Sequence, residues 1–223
     1  MGIKWIQGII GALLYYAWAI DNKLLVALSE LGSQQATSTE ATCTAITQLL
    51  DYVTTYLDDG IIYIASSMVL AAHSDAAYLN ISNACSRTGA HIMLSEDVPV
   101  PPFNGPILTI ANIIKFVMSL AAEAKFVGLF ITAKEMVLLC QTLIKMGWPQ
   151  PKSPIQTDNS MATGFANDTI IQRHIKMIWM RLHWLRCRAA QNQFRFYWDK
   201  GSTNLADYHT KHHPPAYHIA HRA

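Results

Sequence analysis

The sequence has few cysteines, few charged residues and no uncharged stretch long enough to cross a membrane comfortably. Its 223 residues include four widely spaced cysteines and no Cys-x-x-Cys pair. This argues against a structural zinc site and a disulfide framework, so we expect a reducing compartment. Only 14% of the residues are charged and 51% are hydrophobic, which argues against disorder and predicts a globular chain with a large core.

An apolar stretch without charged residues lies near the N-terminus, from Trp5 to Ile20. It is shorter than the roughly 20 apolar residues that a transmembrane helix needs. Ala17-Trp18-Ala19 also resembles a signal-peptide cleavage site, so a secreted or membrane-anchored protein is one alternative. We favour a buried helix, and sequencing the N-terminus of the mature protein would decide between the two.

Positive charge is concentrated in the last quarter of the chain. Nine of the 17 Lys and Arg residues follow Ile171, against two acids, Asp199 and Asp207. Such a segment indicates binding to a polyanion such as nucleic acid, or a solvated basic helix without a ligand.

Periodicity and turn signals predict a helical segment followed by a mixed α/β domain. Asp58-Asp59-Gly60 is a turn signal and divides the chain into domains 1–60 and 61–223. Ser86–Gly89 is interpreted as a second turn. The predicted strands are Ile61–Ile64, Met68–Ala72, Ala90–Leu94, Pro106–Phe116, Pro154–Thr157 and Phe194–Trp198, and the later helices are Ala121–Met146, Ser160–Asn167, Ile170–Gln191 and Asn204–Lys211. This order predicts a mixed sheet flanked by helices and preceded by a short helical segment.

Four acids fall at the ends of these predicted elements. Asp75 closes a strand, Glu123 lies in the first turn of the long helix, Asp158 ends a later strand, and Asp207 follows a plausible N-cap at Asn204. Converging carboxylates can hold two divalent ions for phosphodiester hydrolysis, because Mg²⁺ requires hard oxygen ligands. The alternative is that these acids are helix caps and solvated surface groups.

Several short motifs occur in an order that indicates one family. They are His73-Ser74-Asp75-Ala76, Ser86-Arg87-Thr88-Gly89, Ala122-Glu123-Ala124, Thr157-Asp158-Asn159-Ser160 and the segment from Asn204 to Lys211. Together they resemble the ribonuclease H domain of copia-type retrotransposon polyproteins. The segment from Gly11 to Ala17, with Asp21 and Ala27-Leu28-Ser29, is similar to the end of the reverse transcriptase region of the same family.

The resemblance implies a ribonuclease H-like fold and hydrolysis of the RNA strand of an RNA–DNA hybrid. It assigns Asp75, Glu123, Asp158 and Asp207 as catalytic residues and metal ligands for two Mg²⁺ ions, with Mn²⁺ as a substitute. Expected partners are the hybrid and the reverse transcriptase portion of the polyprotein, and no membrane. The expected location is the cytoplasm, with the nucleus and virus-like particles as further compartments.

The predicted helix Ile170–Gln191 carries the basic residues that we expect to contact the hybrid backbone. They are Arg173, Lys176, Arg181 and Arg188. The same helix has a second apolar stripe that includes Trp184, which indicates either burial on two sides or a contact with the hybrid.

The chain departs from the family pattern at a few positions. Lys125 stands where the family usually has a second acid, Trp179 where it commonly has Asp, and Met177 where many members have His. The loop Asp199–Thr203 contains no histidine. A cation beside the site could weaken metal affinity electrostatically. A catalytically decayed module that only binds nucleic acid or braces a polymerase is therefore the alternative function.

Overall fold

The computed structural model describes residues 3–81, 84–115, 118–169 and 179–220, which divide into two compact units. One unit comprises residues 1–62 with 211–223, and the other comprises residues 63–210. The predicted second domain, 61–223, included the C-terminal residues that group here with the first unit.

The first unit is helical, as the sequence predicts for its N-terminal part. It contains α1 (Ile3–Ala19), α2 (Leu25–Gln34), α3 (Glu40–Thr55) and, near the C-terminus, α7 (Pro215–Ala220). The start of α3 is fixed by a capping box, in which the Thr39 side chain accepts from the Thr42 backbone N–H and the Thr42 hydroxyl accepts from that of Thr39. One buried apolar cluster of this unit contains Ile6, Ile10, Leu31 and Ile46.

Among its described residues, the second unit contains a five-stranded sheet and three α-helices. The strands are β1 (Val69–Ile81), β2 (Cys85–Ser95), β3 (Pro106–Ile114), β4 (Ser153–Thr157) and β5 (Phe194–Trp198). The helices are α4 (Ala121–Lys145), α5 (Ser160–Ala166) and α6 (Trp179–Ala190). In the order β3-β2-β1-β4-β5, the first three strands are antiparallel, whereas β4 runs parallel to β1 and β5 to β4.

The two faces of this sheet differ because side chains alternate along each strand. Leu70 and Ala72 of β1 belong to the main apolar cluster, which also includes residues of α4, α5 and α6. His73 and Asp75 alternate with them and are also buried. On this second face a 3-10 helix, Leu205–His209, places its Ala206 carbonyl against Gly89 of β2.

Helix α4 is long and apolar enough to cross a membrane by length and composition. Its buried residues include Phe126, Leu129, Ala133 and Met136, which belong to the main apolar cluster beneath the sheet. The packing of a core helix therefore explains its apolar composition.

The predicted fold class, a mixed α/β sheet flanked by helices, is confirmed, but three local predictions are wrong. Residues Ile61–Ile64 form no strand; the Ile64 N–H donates instead to the Asn104 side chain at 2.8 Å. Ser86–Gly89 is not a turn but part of β2, and Asp75 does not close a strand but lies within β1. Residues 170–178 of the predicted basic helix lie outside the described residues.

Candidate active site

The candidate site lies where strands β1 and β4 stop pairing. Their parallel register ends at Ser74 opposite Thr157; Asp75 is the next residue of β1, and Asp158 directly follows β4. Asp75 stays within the antiparallel ladder, opposite Gly89 of β2. Two acids that are 83 positions apart in the sequence thus lie beside one another because their strands are neighbours.

A lysine ammonium group lies between these two carboxylates. Lys125 Nζ is 2.6 Å from Oδ1 and 2.5 Å from Oδ2 of Asp158, and 3.1 Å from Oδ1 of Asp75. The Asp75 side chain is 6% exposed, whereas those of Asp158 and Lys125 are 22% and 26% exposed. The cluster therefore has a buried side at Asp75 and a solvent-facing side at Asp158.

The proton affinities in this cluster follow from burial and from the neighbouring charges. Burial raises the pKa of Asp75; Lys125 opposes this change, and the Asp158 charge adds to it. Burial alone would lower the pKa of Lys125, but Asp75 and Asp158 together raise it above its ordinary value. Lys125 is therefore a stable cation between the two acids.

The C-terminal segment of this unit attaches to the same part of β1. The Asn204 side-chain amide donates to the Ser74 carbonyl at 3.1 Å, and the Thr210 hydroxyl lies 3.3 Å from Oδ2 of Asp75. The Thr210 hydroxyl also lies 2.9 Å from the Asp207 carbonyl, and Asp207 is half-buried. Asn204 is the N-cap of the 3-10 helix, as predicted, because its side chain accepts from the Ala206 N–H.

Glu123 lies in the first turn of α4, two residues before Lys125. Its Oε2 accepts a hydrogen bond from the backbone N–H of Ser119 at 2.7 Å, and the residue is 8% exposed. This contact fixes the chain just before the helix and uses one carboxylate oxygen. Of the four predicted ligands, the structure therefore brings Asp75 and Asp158 around one cation. The turn that contains Asp207 lies beside Asp75, whereas Glu123 binds the backbone just before α4.

The carboxylate oxygens of this site are suitable ligands for a divalent ion, although the Lys125 ammonium lies between the two acids. In the part of the chain that the structure describes, no three His, Cys, Asp or Glu side chains form a group that could hold a metal ion. Asp75 and Asp158 nevertheless present carboxylate oxygens, the ligands that Mg²⁺ prefers. The assignment of four metal ligands stays a prediction.

Three positions beside the acids were not predicted as part of the site. The Trp198 indole N–H donates to the Asp158 carbonyl at 2.9 Å, and Gly201 approaches the Asp158 carboxylate so closely that an added Cβ would lie 3.3 Å from Oδ2. Thr210 contacts Asp75 across 135 positions. The only sequence signal was that Thr210 falls within the last family motif.

Buried histidines occupy the sheet face beside Asp75. His73 accepts from the Leu205 N–H through Nδ1 at 3.1 Å, and His91 Nε2 lies 2.9 Å from the Asn104 carbonyl oxygen. The His91 ring also stacks on that of His209, with centroids 6.4 Å apart. Burial lowers the pKa of His91 to about 4, although the Asn104 carbonyl opposes the change, and that of His73 to about 3.

We expect His91 to make the protein less stable in acid. The unfolded chain takes up a proton at this residue below about pH 6.5, whereas the folded protein does so only near pH 4. The free energy of unfolding should therefore fall between these pH values, by about 3 kcal/mol in total from this residue. His73 should contribute with the same sign.

The replacement His91→Gln isolates this contribution, because a Gln amide can still donate to the Asn104 carbonyl but does not titrate in this range. Urea unfolding at pH 7.5 and 4.5 should show a smaller loss of stability for the variant than for the wild type, by about 2 kcal/mol. An equal loss in the two proteins would contradict the assignment.

Of the four predicted nucleic-acid-binding residues, the structure describes Arg181 and Arg188. Arg173 and Lys176 lie outside the described residues. The Arg181 guanidinium lies 5.8 Å from the Phe130 ring centroid, and that of Arg188 lies 4.9 Å from the Trp184 centroid. Arg188 also donates to the Gln193 side chain at 3.1 Å. Both arginines therefore make contacts within the protein, and their role in binding nucleic acid stays a prediction.

We expect Trp184 to contribute mainly to packing. Its ring meets the Phe130 ring edge to face at 5.3 Å and packs against the main apolar cluster. Trp184→Ala should lower the free energy of unfolding by about 2 kcal/mol. This is less than the loss expected on truncating a fully buried tryptophan, because Trp184 is half-buried. Urea unfolding measures this loss, with Met180→Ala as control because Met180 is 84% exposed on the same helix. Unchanged stability with weakened hybrid binding would instead identify Trp184 as a contact residue.

No protein-family model and no curated protein matches the sequence. Among solved structures, ribonuclease H1 LC11, isolated from compost by a metagenomic approach, is similar at 10% identity with a TM-score of 0.48, covering 64% of this chain and 93% of that chain. The N-terminal RNase H domain of Rv2228c from Mycobacterium tuberculosis is similar at 12% identity and a TM-score of 0.42, covering 61% and 91%. The prototype foamy virus protease–reverse transcriptase is similar at 13% identity and a TM-score of 0.37, covering 72% of this chain and 20% of that chain.

Proposed function

We propose that this chain is a metal-dependent nuclease that hydrolyses the RNA strand of RNA–DNA hybrids, as part of a copia-type retrotransposon polyprotein. The observation that carries the proposal is the meeting of Asp75 and Asp158 around one cation, where the parallel pairing of β1 and β4 ends. The ordered motifs that resemble the ribonuclease H domain of that family support the same reaction.

Asp75, Asp158, Glu123 and Asp207 would hold two Mg²⁺ ions, or Mn²⁺ ions in their place. When bound, these ions activate water and neutralise charge at the scissile phosphate. The protein fixes the acids beforehand: Thr210 holds Asp75, and the Trp198 indole holds the backbone of Asp158. Rigid support of this kind is what a hydrolytic site needs, since small displacements of catalytic groups reduce the rate.

The remaining assignments concern partners and location. Arg173, Lys176, Arg181 and Arg188 would hold the hybrid through its phosphates, with little dependence on sequence. Residues 1–60 would contact the reverse transcriptase portion of the polyprotein, without a membrane partner. The protein would act in the cytoplasm, the nucleus or virus-like particles.

The test is cleavage of an end-labelled RNA–DNA hybrid by the purified full chain. We expect cleavage of the RNA strand with Mg²⁺ or Mn²⁺, none in EDTA, and none of a DNA duplex of the same sequence. Binding of the hybrid without cleavage under any of these conditions would contradict the proposal. It would instead support the decayed module that only binds nucleic acid or braces a polymerase.

A further inference from the structure

We propose that Lys125 is an internal counter-ion of the acidic site, and that a divalent metal binds only when the Lys125 ammonium leaves its position between Asp75 and Asp158. This inference rests on the proposed metal site, but it concerns how the chain controls access to that site. It applies to a residue at which the chain departs from the family pattern.

The Lys125 ammonium contacts three carboxylate oxygens at once. Its Nζ donates to both oxygens of Asp158, at 2.6 and 2.5 Å, and forms an ion pair with Oδ1 of Asp75 at 3.1 Å. Both oxygens of Asp158 and one of Asp75 are therefore engaged by the same nitrogen. A metal ion held by this pair of acids would need these oxygens.

The space and charge around these oxygens allow only one cation between the two acids. Mg²⁺ binds oxygen at about 2.0–2.1 Å, so an ion shared by the two acids would occupy nearly the position of Nζ. An ammonium group and a divalent ion at such short range also repel one another strongly. Simultaneous occupation is therefore excluded on both grounds.

The Lys125 side chain has a route away from the acids. Its side chain is 26% exposed, and Asp158 on the same side of the cluster is 22% exposed. The ammonium can therefore move into water without crossing the core, whereas the buried Asp75 stays in place. In this position the lysine neutralises much of the charge of Asp75 and Asp158.

The experiment compares the full wild-type chain with Lys125→Gln, Lys125→Arg and the control Lys134→Gln. Gln keeps hydrogen-bonding capacity without charge, Arg keeps the charge, and Lys134 is an exposed residue of the same helix. Calorimetric titration with MnCl₂ and MgCl₂ measures metal affinity, and thermal unfolding in EDTA measures the metal-free protein. Neither readout requires nuclease activity.

We expect Lys125→Gln to bind Mn²⁺ at least tenfold more tightly than the wild type, and to unfold several degrees lower in EDTA. Lys125→Arg should bind metal no more tightly than the wild type, and Lys134→Gln should match it in both measurements. The inference would be overturned if Lys125→Gln and the wild type bound metal with equal affinity. It would also be overturned if neither of the two proteins bound metal. If Lys125→Gln bound Mn²⁺ tenfold more tightly but the chain cleaved no hybrid, the result would contradict the proposed reaction and support the inference.

A second measurement uses the wild-type chain alone and does not depend on the folding of a variant. Brief acetylation of lysines, followed by mass spectrometry of the peptides, reports how accessible each amine is. Adding MnCl₂ should increase the modification of Lys125 several-fold while that of Lys134 stays constant. Modification of Lys125 that is unchanged or reduced at saturating MnCl₂ would overturn the inference.

Discussion

Asp75→Asn should reduce Mg²⁺-dependent cleavage of an RNA–DNA hybrid by about three orders of magnitude. An amide is a poor ligand for Mg²⁺ compared with a carboxylate. A metal ion contributes several kcal/mol to stabilising the charged transition state, and a loss of about 4 kcal/mol corresponds to this change in rate. Initial rates on a labelled hybrid, at equal protein concentration, measure the effect.

The same variant should fold, because the native carboxylate is costly to bury. Burial raises the pKa of Asp75, so a neutral group of the same size removes an unfavourable charge from the interior. The Asn side-chain oxygen can still accept from the Thr210 hydroxyl, which now lies 3.3 Å from Oδ2. Urea unfolding should therefore stay within about 1 kcal/mol of the wild type.

Asp97→Asn is the matched control, since Asp97 is an exposed acid in the same unit. It should retain full activity and stability. Cleavage by Asp75→Asn at the wild-type rate would show that Asp75 is not a ligand. Cleavage lost together with the native fold would be uninformative for that residue, and Asp158→Asn, at the exposed side of the cluster, would then replace it.

Among Gly→Ala substitutions near the site, Gly89→Ala should cause the largest loss of stability. A Cβ at this position would lie 2.5 Å from the Ala206 carbonyl oxygen, 2.8 Å from Thr210 Cγ2 and 3.2 Å from the His209 carbonyl carbon. Two of these neighbours are backbone atoms, which cannot rotate away. We expect the free energy of unfolding to fall by about 3 kcal/mol, a large share of the total for a small domain.

The loss should extend to activity, because the displaced segment carries Thr210 and Asp207. Urea unfolding and hybrid cleavage measure the two effects on the same preparation. Gly60→Ala is the control, since no atom lies within 4 Å of the Cβ that it would add. Unfolding of Gly89→Ala at the same urea concentration as the wild type would show that the C-terminal segment does not pack on β2 in this way.

The sequence predicted best those elements whose boundaries are set by local signals. Strand β5 has the predicted bounds, Phe194–Trp198, and α4 ends one residue before the predicted Met146. Helix α4 is followed by Gly147 and by Pro149, both of which terminate helices. For the end of α4, these local signals were sufficient.

The sequence failed where distant segments decide the structure. The polar run Ser86–Gly89 resembled a turn because polar and glycine residues favour turns. It is instead extended because it pairs with β1 and β3 and is covered by residues from the end of the unit. In contrast, Ile61–Ile64 is β-branched but gains no neighbouring strand, so it stays irregular.

The candidate site was predicted in part. The resemblance assigned four acids, of which the structure brings Asp75 and Asp158 together, and it marked Lys125 as a departure, but no local signal could show where its ammonium lies. That position depends on β1, β4 and the start of α4 meeting at one point. The supporting contacts of Thr210 and Trp198 depend equally on long-range packing and were not foreseen.

The attachment of residues 204–210 to β1 has a consequence for the time course of folding. Asn204 and Thr210 bind the chain at Ser74 and Asp75, which are synthesised 130 or more residues earlier. Contacts between such distant positions close large loops and form slowly. On the ribosome, the contacts around Asp75 are therefore incomplete until the last part of the unit has been synthesised. Maturation of the site should be a late event that follows formation of the sheet.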